Sequence, residues 1–262
     1  MWNANGELLW RNDGGEYFYF SASGKYLYSH YSALNTRPLR VLDVQTGRTL
    51  WQLEYSAYWQ ASTSTEEKLF YYADNDLTKC YQLQSGKTVW ETKVDDARAN
   101  SHGTLYVAKS GRLVAFQAQN DVARLTNVYD GEGHLIWKTR NRQGSGLSNG
   151  GVIKGVSEDG RLIAFGDSHE FYVLRGATRE LVWRYRDRVV PQHIQRFTSR
   201  YIAFRAQPAN FTRVILLNPD GTIKYDYVFR QFVDFQIYGT QNFLVVQKEK
   251  KRMRLTLFRL LP

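Results

Sequence analysis

Residues 42–51 read LDVQTGRTLW, and this stretch holds the pattern that decides the fold. In it a glycine is followed four residues later by a tryptophan, and YQLQSGKTVW at residues 81–90 repeats the spacing. Six copies occur in the 262 residues, starting at Gly6, Gly47, Gly86, Gly133, Arg179 and Gly221 and ending at Trp10, Trp51, Trp90, Trp137, Trp183 and Tyr225. Their aromatic residues are spaced by 41, 39, 47, 46 and 42 residues, which is the period of a four-stranded propeller blade.

The repeat predicts an all-β fold, a six-bladed β-propeller built from four-stranded antiparallel blades. We expect one domain over residues 1–262, with blades at about 16–54, 55–94, 95–140, 141–186, 187–228 and 229–262. The last copy ends without a glycine-to-aromatic strand, and residues 5–11 supply one. We therefore expect the N-terminal strand to pair in the C-terminal blade and close the ring, which hides two sheet edges.

The stretches at 42–51 and 81–90 resemble the tryptophan docking motif of the quinoprotein-type, or PQQ-like, β-propeller repeat family. The other copies keep the turn and the aromatic residue but lose the Asp and Thr of the motif. The resemblance implies the propeller fold and a structural role for the six repeat aromatics. Quinone-binding members have eight blades, a disulfide between adjacent cysteines and a calcium site, whereas this chain has six copies and one cysteine. A non-enzymatic member without the quinone site is therefore implied, with no cofactor and no metal.

Charge is distributed unevenly along the chain. The formal net charge is +10, but residues 1–131 contain 13 basic and 14 acidic side chains, whereas residues 132–262 contain 22 and 11. Such asymmetry favours an anionic partner. Loops that follow the fourth strands and loops between second and third strands emerge on one face of a propeller. Nine basic residues are expected in such loops and form the candidate binding site: Arg140, Arg142, Arg186, Arg188, Arg230, Lys248, Lys250, Lys251 and Arg252. A solvated polar rim is the alternative interpretation.

Repeats and charge together favour a non-catalytic binding or scaffold propeller whose basic face, formed by blades 4–6, docks an acidic protein. An anionic surface or nucleic acid is a second class of partner, although the sequence contains no module for sequence-specific nucleic-acid recognition. The alternative function is an enzyme of the lyase, glycosidase or dehydrogenase type with a site at the mouth of the central channel. His193 and Asp234 are the best residues for such a site because they fall on predicted first strands, and no catalytic set is otherwise indicated.

Cysteine content and hydropathy bear on the compartment. A single cysteine allows no intrachain disulfide, and Cys80 is predicted to be a buried, unreactive thiol in a third strand. No apolar run is long enough to span a membrane, and the first residues lack a leader pattern. The chain as given is expected to be soluble, monomeric and cytoplasmic. A removed signal peptide would make it periplasmic or extracellular, so the sequence leaves the compartment open.

Overall fold

The computed structural model of the chain describes most of its β-strands. The described residues are 1, 5, 7–11, 17–30, 38–53, 59–73, 77–93, 102–119, 123–142, 151–166, 170–186, 191–198, 201–206, 211–217, 223–229, 234–238, 242–249 and 252–259. Every regular element in these ranges is a β-strand, and neighbouring strands pair antiparallel. The predicted all-β class with antiparallel four-stranded sheets is therefore confirmed.

Four successive meanders of four strands make up the first part of the chain. The first sheet contains β1 (Tyr17–Phe20), β2 (Tyr26–His30), β3 (Leu39–Asp43) and β4 (Thr49–Leu53). The second contains β5 (Trp59–Thr63), β6 (Lys68–Ala73), β7 (Leu77–Gln82) and β8 (Thr88–Lys93). The third contains β9 (His102–Val107), β10 (Leu113–Gln119), β11 (Ala123–Asp130) and β12 (Leu135–Arg142). The fourth contains β13 (Val152–Val156), β14 (Leu162–Gly166), β15 (Glu170–Arg175) and β16 (Leu181–Arg186).

The remaining strands continue the same order along the chain. The fifth sheet contains β17 (Pro191–Phe197), β18 (Tyr201–Ala206), β19 (Phe211–Leu217) and β20 (Ile223–Phe229). The last sheet pairs β21 (Asp234–Tyr238), β22 (Asn242–Glu249) and β23 (Arg252–Arg259). Among the described residues, no pairing joins residues 7–11 to β23. The number of blades, their limits and the closure of the ring stay predictions.

Tight turns with a left-handed residue connect the strands of the first four sheets. In most turns this residue is glycine, which has no Cβ to clash at positive φ: Gly24, Gly47, Gly86, Gly111, Gly133 and Gly160. The exceptions are Glu67, with φ of 60°, and Arg179, with φ of 61°. Each of these two residues adopts a left-handed backbone conformation that costs on the order of 1–2 kcal/mol.

A β-bulge precedes the repeat aromatic in the fourth strand. In the first sheet Thr49 pairs with Leu42 and Trp51 pairs with Val41, so that Leu50 is the extra residue. The same shift occurs in the next four sheets, where the extra residues are Val89, Ile136, Val182 and Lys224. A bulge bends its strand and re-aims the side chains beside it. The repeated four-residue spacing thus encodes both the turn and the direction of the aromatic ring.

The hydrophobic core lies between successive sheets. Phe70 of the second sheet shares a buried cluster with Phe116 of the third, and Val128 of the third sheet shares one with Ile163 of the fourth. Phe197 continues the series from the fifth sheet, in a cluster with residues of the fourth. Sheets that pack face to face in chain order are the arrangement of propeller blades.

Backbone hydrogen bonds link the turns of neighbouring sheets. The N–H of Thr65 donates to the carbonyl of Lys109 over 2.8 Å, and the N–H of Ser110 donates to Glu158 over 2.8 Å. The N–H of Glu158 in turn donates to the carbonyl of Phe197 over 2.9 Å. One end of the blade stack is therefore joined from the second sheet to the fifth by main-chain contacts.

Candidate functional site

Tryptophans of one sheet insert into a turn of the next sheet. Four indole N–H groups donate to carbonyls at equivalent positions: Trp10 to Val44 at 2.8 Å, Trp51 to Leu83 at 2.6 Å, Trp90 to Gly131 at 3.1 Å and Trp137 to Gly176 at 2.7 Å. Each acceptor begins the turn between the third and fourth strands, and we call this turn, with its left-handed residue, the docking socket. A partly buried indole needs a partner for its N–H. The socket therefore fixes the position of the preceding sheet's outer strand.

Glycine occupies the sockets of the first three sheets, where the indole ring lies directly on the backbone. A Cβ added at Gly86 would come within 2.8 Å of Trp51, and a Cβ at Gly133 would come within 2.6 Å of Trp90. Atoms at such distances cannot coexist, so any side chain there displaces the ring. The same glycines have positive φ. Two independent constraints therefore select glycine at these turns.

Arginine replaces glycine in the socket of the fourth sheet. The Arg179 guanidinium lies 5.8 Å from the centre of the Trp137 ring, which is the geometry of a cation–π contact. Trp137 still donates its N–H to Gly176. The positive φ of Arg179 is thus accompanied by an attraction that the glycine sockets lack.

The Asp and Thr of the docking motif stabilise the turn that forms the socket. In the first sheet the backbone N–H and the hydroxyl of Thr46 both donate to Asp43 Oδ1, at 2.8 and 2.9 Å. These hydrogen bonds lower the pKa of the Asp43 carboxyl. In the third sheet Asp130 accepts from the backbone N–H groups of Glu132 and His134, each at 2.9 Å. A carboxylate at this position therefore holds the turn even where the Thr is missing.

The candidate cationic residues are divided between strands and segments outside the described residues. The expected loop positions are wrong for five of them, because the hairpins are longer than the sequence suggested: Arg140 and Arg142 lie in β12, Arg186 in β16, Lys248 in β22 and Arg252 in β23. The pairs Ala123 with Arg142 and Glu170 with Arg186 show how far the ladders extend. The other four lie outside the described residues: Arg188, Arg230, Lys250 and Lys251.

Two outer strands display cations on their exposed positions. In β12 the exposed residues Lys138 and Arg140 alternate with Trp137 and Thr139, which are partly buried. In β16 the exposed Arg184 lies 3.8 Å from a carboxylate oxygen of Glu170, whose side chain is buried. The structure therefore brings part of the predicted positive charge to the outer side of the third and fourth sheets. Sequence reasoning missed Lys138 and Arg184 because it searched the loops.

Two first strands contain the residues that the sequence indicated for the enzyme alternative. His193 and Asp234 lie on the first strands β17 and β21, and their side chains lie outside the description. Cys80 is fully buried, and burial raises the pKa of its thiol to about 12, so it is not a nucleophile at neutral pH.

Across the described ranges no three His, Cys, Asp or Glu side chains are grouped to hold a metal ion. The same ranges contain no apolar helix long enough to cross a membrane.

The meanders packed face to face define the chain as a β-propeller, and solved structures share this fold. The β-propeller domain of Myceliophteria thermophila Cps50 (Swd1) matches with a TM-score of 0.57 and 14% identity, over 91% of this chain and 84% of that one. Kluyvelomyces marxianus Hsv2 matches with a TM-score of 0.54 and 13% identity, over 83% and 73%. A europium-containing methanol dehydrogenase matches with a TM-score of 0.51 and 13% identity, over 79% of this chain and 50% of the dehydrogenase. At these identities the likeness concerns the fold.

The family of the repeat follows from a sequence match. Residues 2–124 match the family described as outer membrane protein assembly factor BamB. This segment includes both docking motifs, at 42–51 and 81–90. No curated protein matches the sequence. Residues 2–124 therefore carry PQQ-like β-propeller repeats, which confirms the repeat family that the docking motif indicated.

Proposed function

We propose that the chain is a closed six-bladed propeller that acts as a non-catalytic scaffold, and that basic residues of blades 4–6 dock an acidic protein. The observation that carries this proposal is the charge of residues 132–262, which contain 22 basic and 11 acidic side chains. The exposed cations of β12 and β16 lie within this basic region; β12 is the outer strand of the third sheet and leads into the fourth. The matching family is described as an assembly factor, a role exercised on other proteins.

Closure of the ring is supported by the position of Trp10. This residue occupies the socket of the first sheet, just as Trp51 occupies the socket of the second. In the next three sockets the tryptophan belongs to the outer strand of the preceding blade, which supports the proposal that residues 7–11 are the outer strand of the last blade. Pairing of these residues with β23 would give the last sheet its fourth strand.

Exposure of the first strand supports closure independently. Phe20 at the end of β1 is 57% exposed, whereas the equivalent residues are covered by a neighbouring sheet: Thr63 is 8% exposed and Phe197 is 4% exposed. A blade placed beside β1 would cover Phe20 in the same way. Burying a phenylalanine side chain contributes about 1.5–3 kcal/mol.

Charge reversal tests the docking surface. A variant in which six basic residues become Glu should lose its salt-sensitive retention on immobilised polyglutamate, because opposite charges attract through a screened field. The six residues are Arg140, Arg142, Arg186, Arg188, Lys250 and Arg252. Retention on immobilised single-stranded DNA and on anionic vesicles is measured in parallel. Stronger retention on either of these surfaces than on polyglutamate would contradict the choice of an acidic protein.

A matched control separates the proposed surface from net charge. Six basic residues of the first three sheets are exposed and are changed to Glu in the control: Lys25, Arg48, Lys87, Lys93, Lys109 and Arg112. The control has the same net charge as the test variant and should keep its retention on polyglutamate. Equal loss in both variants, or no loss in either, would refute the proposal.

A further inference from the structure

The outer strand of the third sheet lies at the edge of that sheet and has a basic residue at every second position from Lys138 to Arg142. β12 ends the strand order β12-β11-β10-β9, so its outer side faces away from the sheet. It reads LIWKTRNR and contains no acidic residue. With eight residues it is longer than the other fourth strands, β4, β8, β16 and β20, which have five to seven. An end strand of this length can pair with an added strand along its whole edge.

The side chains of β12 alternate between two environments. Trp137 is docked on the fourth sheet through its bond to Gly176, and Thr139 is partly buried beyond it. Lys138 and Arg140 occupy the alternate positions and are exposed. Arg142 occupies the next position of the same alternation. The period of two along a strand therefore places a row of cations on one side of the edge.

Most of the corresponding strands do not have this row. Relative to the repeat aromatic, the equivalents of Lys138 are Gln52 in β4, Glu91 in β8 and Asp226 in β20. The shorter strand β16 repeats the spacing with Arg184 and Arg186, and Arg184 lies 3.8 Å from the buried carboxylate of Glu170. The row is therefore not a consequence of the repeat, and β12 carries it on the longer strand.

We infer that β12 is the contact strand for the acidic partner, which adds an extended segment to its outer edge as a fifth strand. Main-chain hydrogen bonds supply affinity in such β-augmentation, and alternate side chains supply specificity. Residues of the segment that lie opposite Lys138 and Arg140 are two positions apart, so the segment must have acidic residues at i and i+2. This inference rests on the proposed function, because it names the strand and the sequence pattern through which an acidic protein docks.

Synthetic peptides test the inference directly. The probe is a fluorescein-labelled eight-residue peptide in which glutamate alternates with valine or threonine, and fluorescence anisotropy measures its binding to the full chain. A peptide of the same composition is the control for bulk charge: in it adjacent pairs of glutamate alternate with pairs of valine or threonine, so that no two glutamates are two positions apart. We expect the alternating peptide to bind at least about tenfold more tightly, since only it can set two acids against the two cations of one strand.

Protein variants locate the binding edge. K138E/R140E should weaken binding of the alternating peptide by about tenfold or more at low salt, whereas R48E/K87E, with the same change in net charge on exposed turn residues, should leave it unchanged. Methylation of alternate backbone nitrogens of the peptide should abolish binding in one register and be tolerated in the other, because an edge strand uses every second N–H. Equal binding of the control and alternating peptides, or equal tolerance of both methylation registers, would overturn the inference.

A third variant distinguishes failure of this inference from failure of the proposed function. Arg188, Lys250 and Arg252 are changed to Glu while β12 is left intact. Loss of binding in this variant, with K138E/R140E unaffected, would overturn strand addition at β12 and leave the basic scaffold standing. Unchanged binding in both variants would overturn both proposals.

Discussion

Replacement of Gly86 by alanine tests the physical basis of tryptophan docking. Two costs follow from the structure. The alanine must adopt the φ of 69°, which costs about 1 kcal/mol relative to glycine, the lower end of the cost of a left-handed residue. Its Cβ would also lie within 2.8 Å of the Trp51 ring, and the overpacking costs a further 1–3 kcal/mol, approximately. We expect the free energy of unfolding to fall by about 2–4 kcal/mol in total.

Gly24 provides the matched control for this prediction. It has φ of 75°, and a Cβ added to it meets no atom within 4 Å. Gly24→Ala should therefore cost only the backbone contribution of about 1 kcal/mol. Urea denaturation followed by circular dichroism gives both values, with an unchanged slope showing that the denatured state is unaffected.

A double-mutant cycle isolates the contribution of the ring. In a Trp51→Ala background the socket is empty, so Gly86→Ala should cost no more than Gly24→Ala. The coupling energy between the two positions is then about 1–3 kcal/mol. Equal costs for Gly86→Ala and Gly24→Ala in the wild-type chain, or a coupling energy near zero, would refute the argument that the socket selects glycine because of the ring.

Three other predictions concern the second sheet and the ends of the chain. Glu67→Gly should raise the free energy of unfolding by up to about 1 kcal/mol in urea denaturation, because it removes a residue with a Cβ from a positive-φ position. The ion pair that it breaks contributes little, since the Lys25 side chain is 69% exposed and that of Glu67 is 26% exposed, so that water screens the pair. A loss of stability would contradict this prediction. Cys80 should resist alkylation by iodoacetamide until the chain unfolds, and rapid alkylation of the folded chain at pH 8 would contradict this prediction. Burial raises the pKa of the Cys80 thiol from 9.0 to about 12, so the protonated thiol is favoured in the folded state. The stability that this group contributes below pH 9 is therefore lost as the pH rises toward 12. Closure of the ring predicts a distance below about 20 Å between spin labels attached at Asn5→Cys and Arg259→Cys, because neighbouring strands are about 4.8 Å apart. Double electron–electron resonance measures this distance, and a value above about 30 Å would show an open ring.

Much of the fold was predictable from the glycine-to-aromatic spacing. A left-handed turn, a bulge and an aromatic ring are all local features, and they recur because each sheet repeats the same backbone path. The interpretation of Arg179 as a turn residue equivalent to glycine is confirmed by its φ of 61°. The fold class and the repeat family follow from these local signals.

The candidate site was less predictable because hairpin length depends on pairing between strands. Nothing in the sequence around Arg140 indicates that β11 and β12 stay paired as far as Ala123 and Arg142. The positive φ of Glu67 was equally hidden, since a Glu-Glu turn lacks the glycine that marks its counterparts. Register and backbone conformation at non-glycine positions are set by tertiary contacts that a single sequence does not display.

Docking of tryptophans has a direction, because every socket described here receives the ring of the repeat that precedes it in the sequence. Shortening the chain from its two ends should therefore have unlike effects. Loss of the N-terminal segment removes Trp10 and leaves an empty socket, whose polar turn water can hydrate. Loss of C-terminal sheets removes a socket and leaves the tryptophan ring of the preceding sheet exposed to solvent. Fragments truncated from the C-terminal side should therefore aggregate more readily than fragments truncated from the N-terminal side.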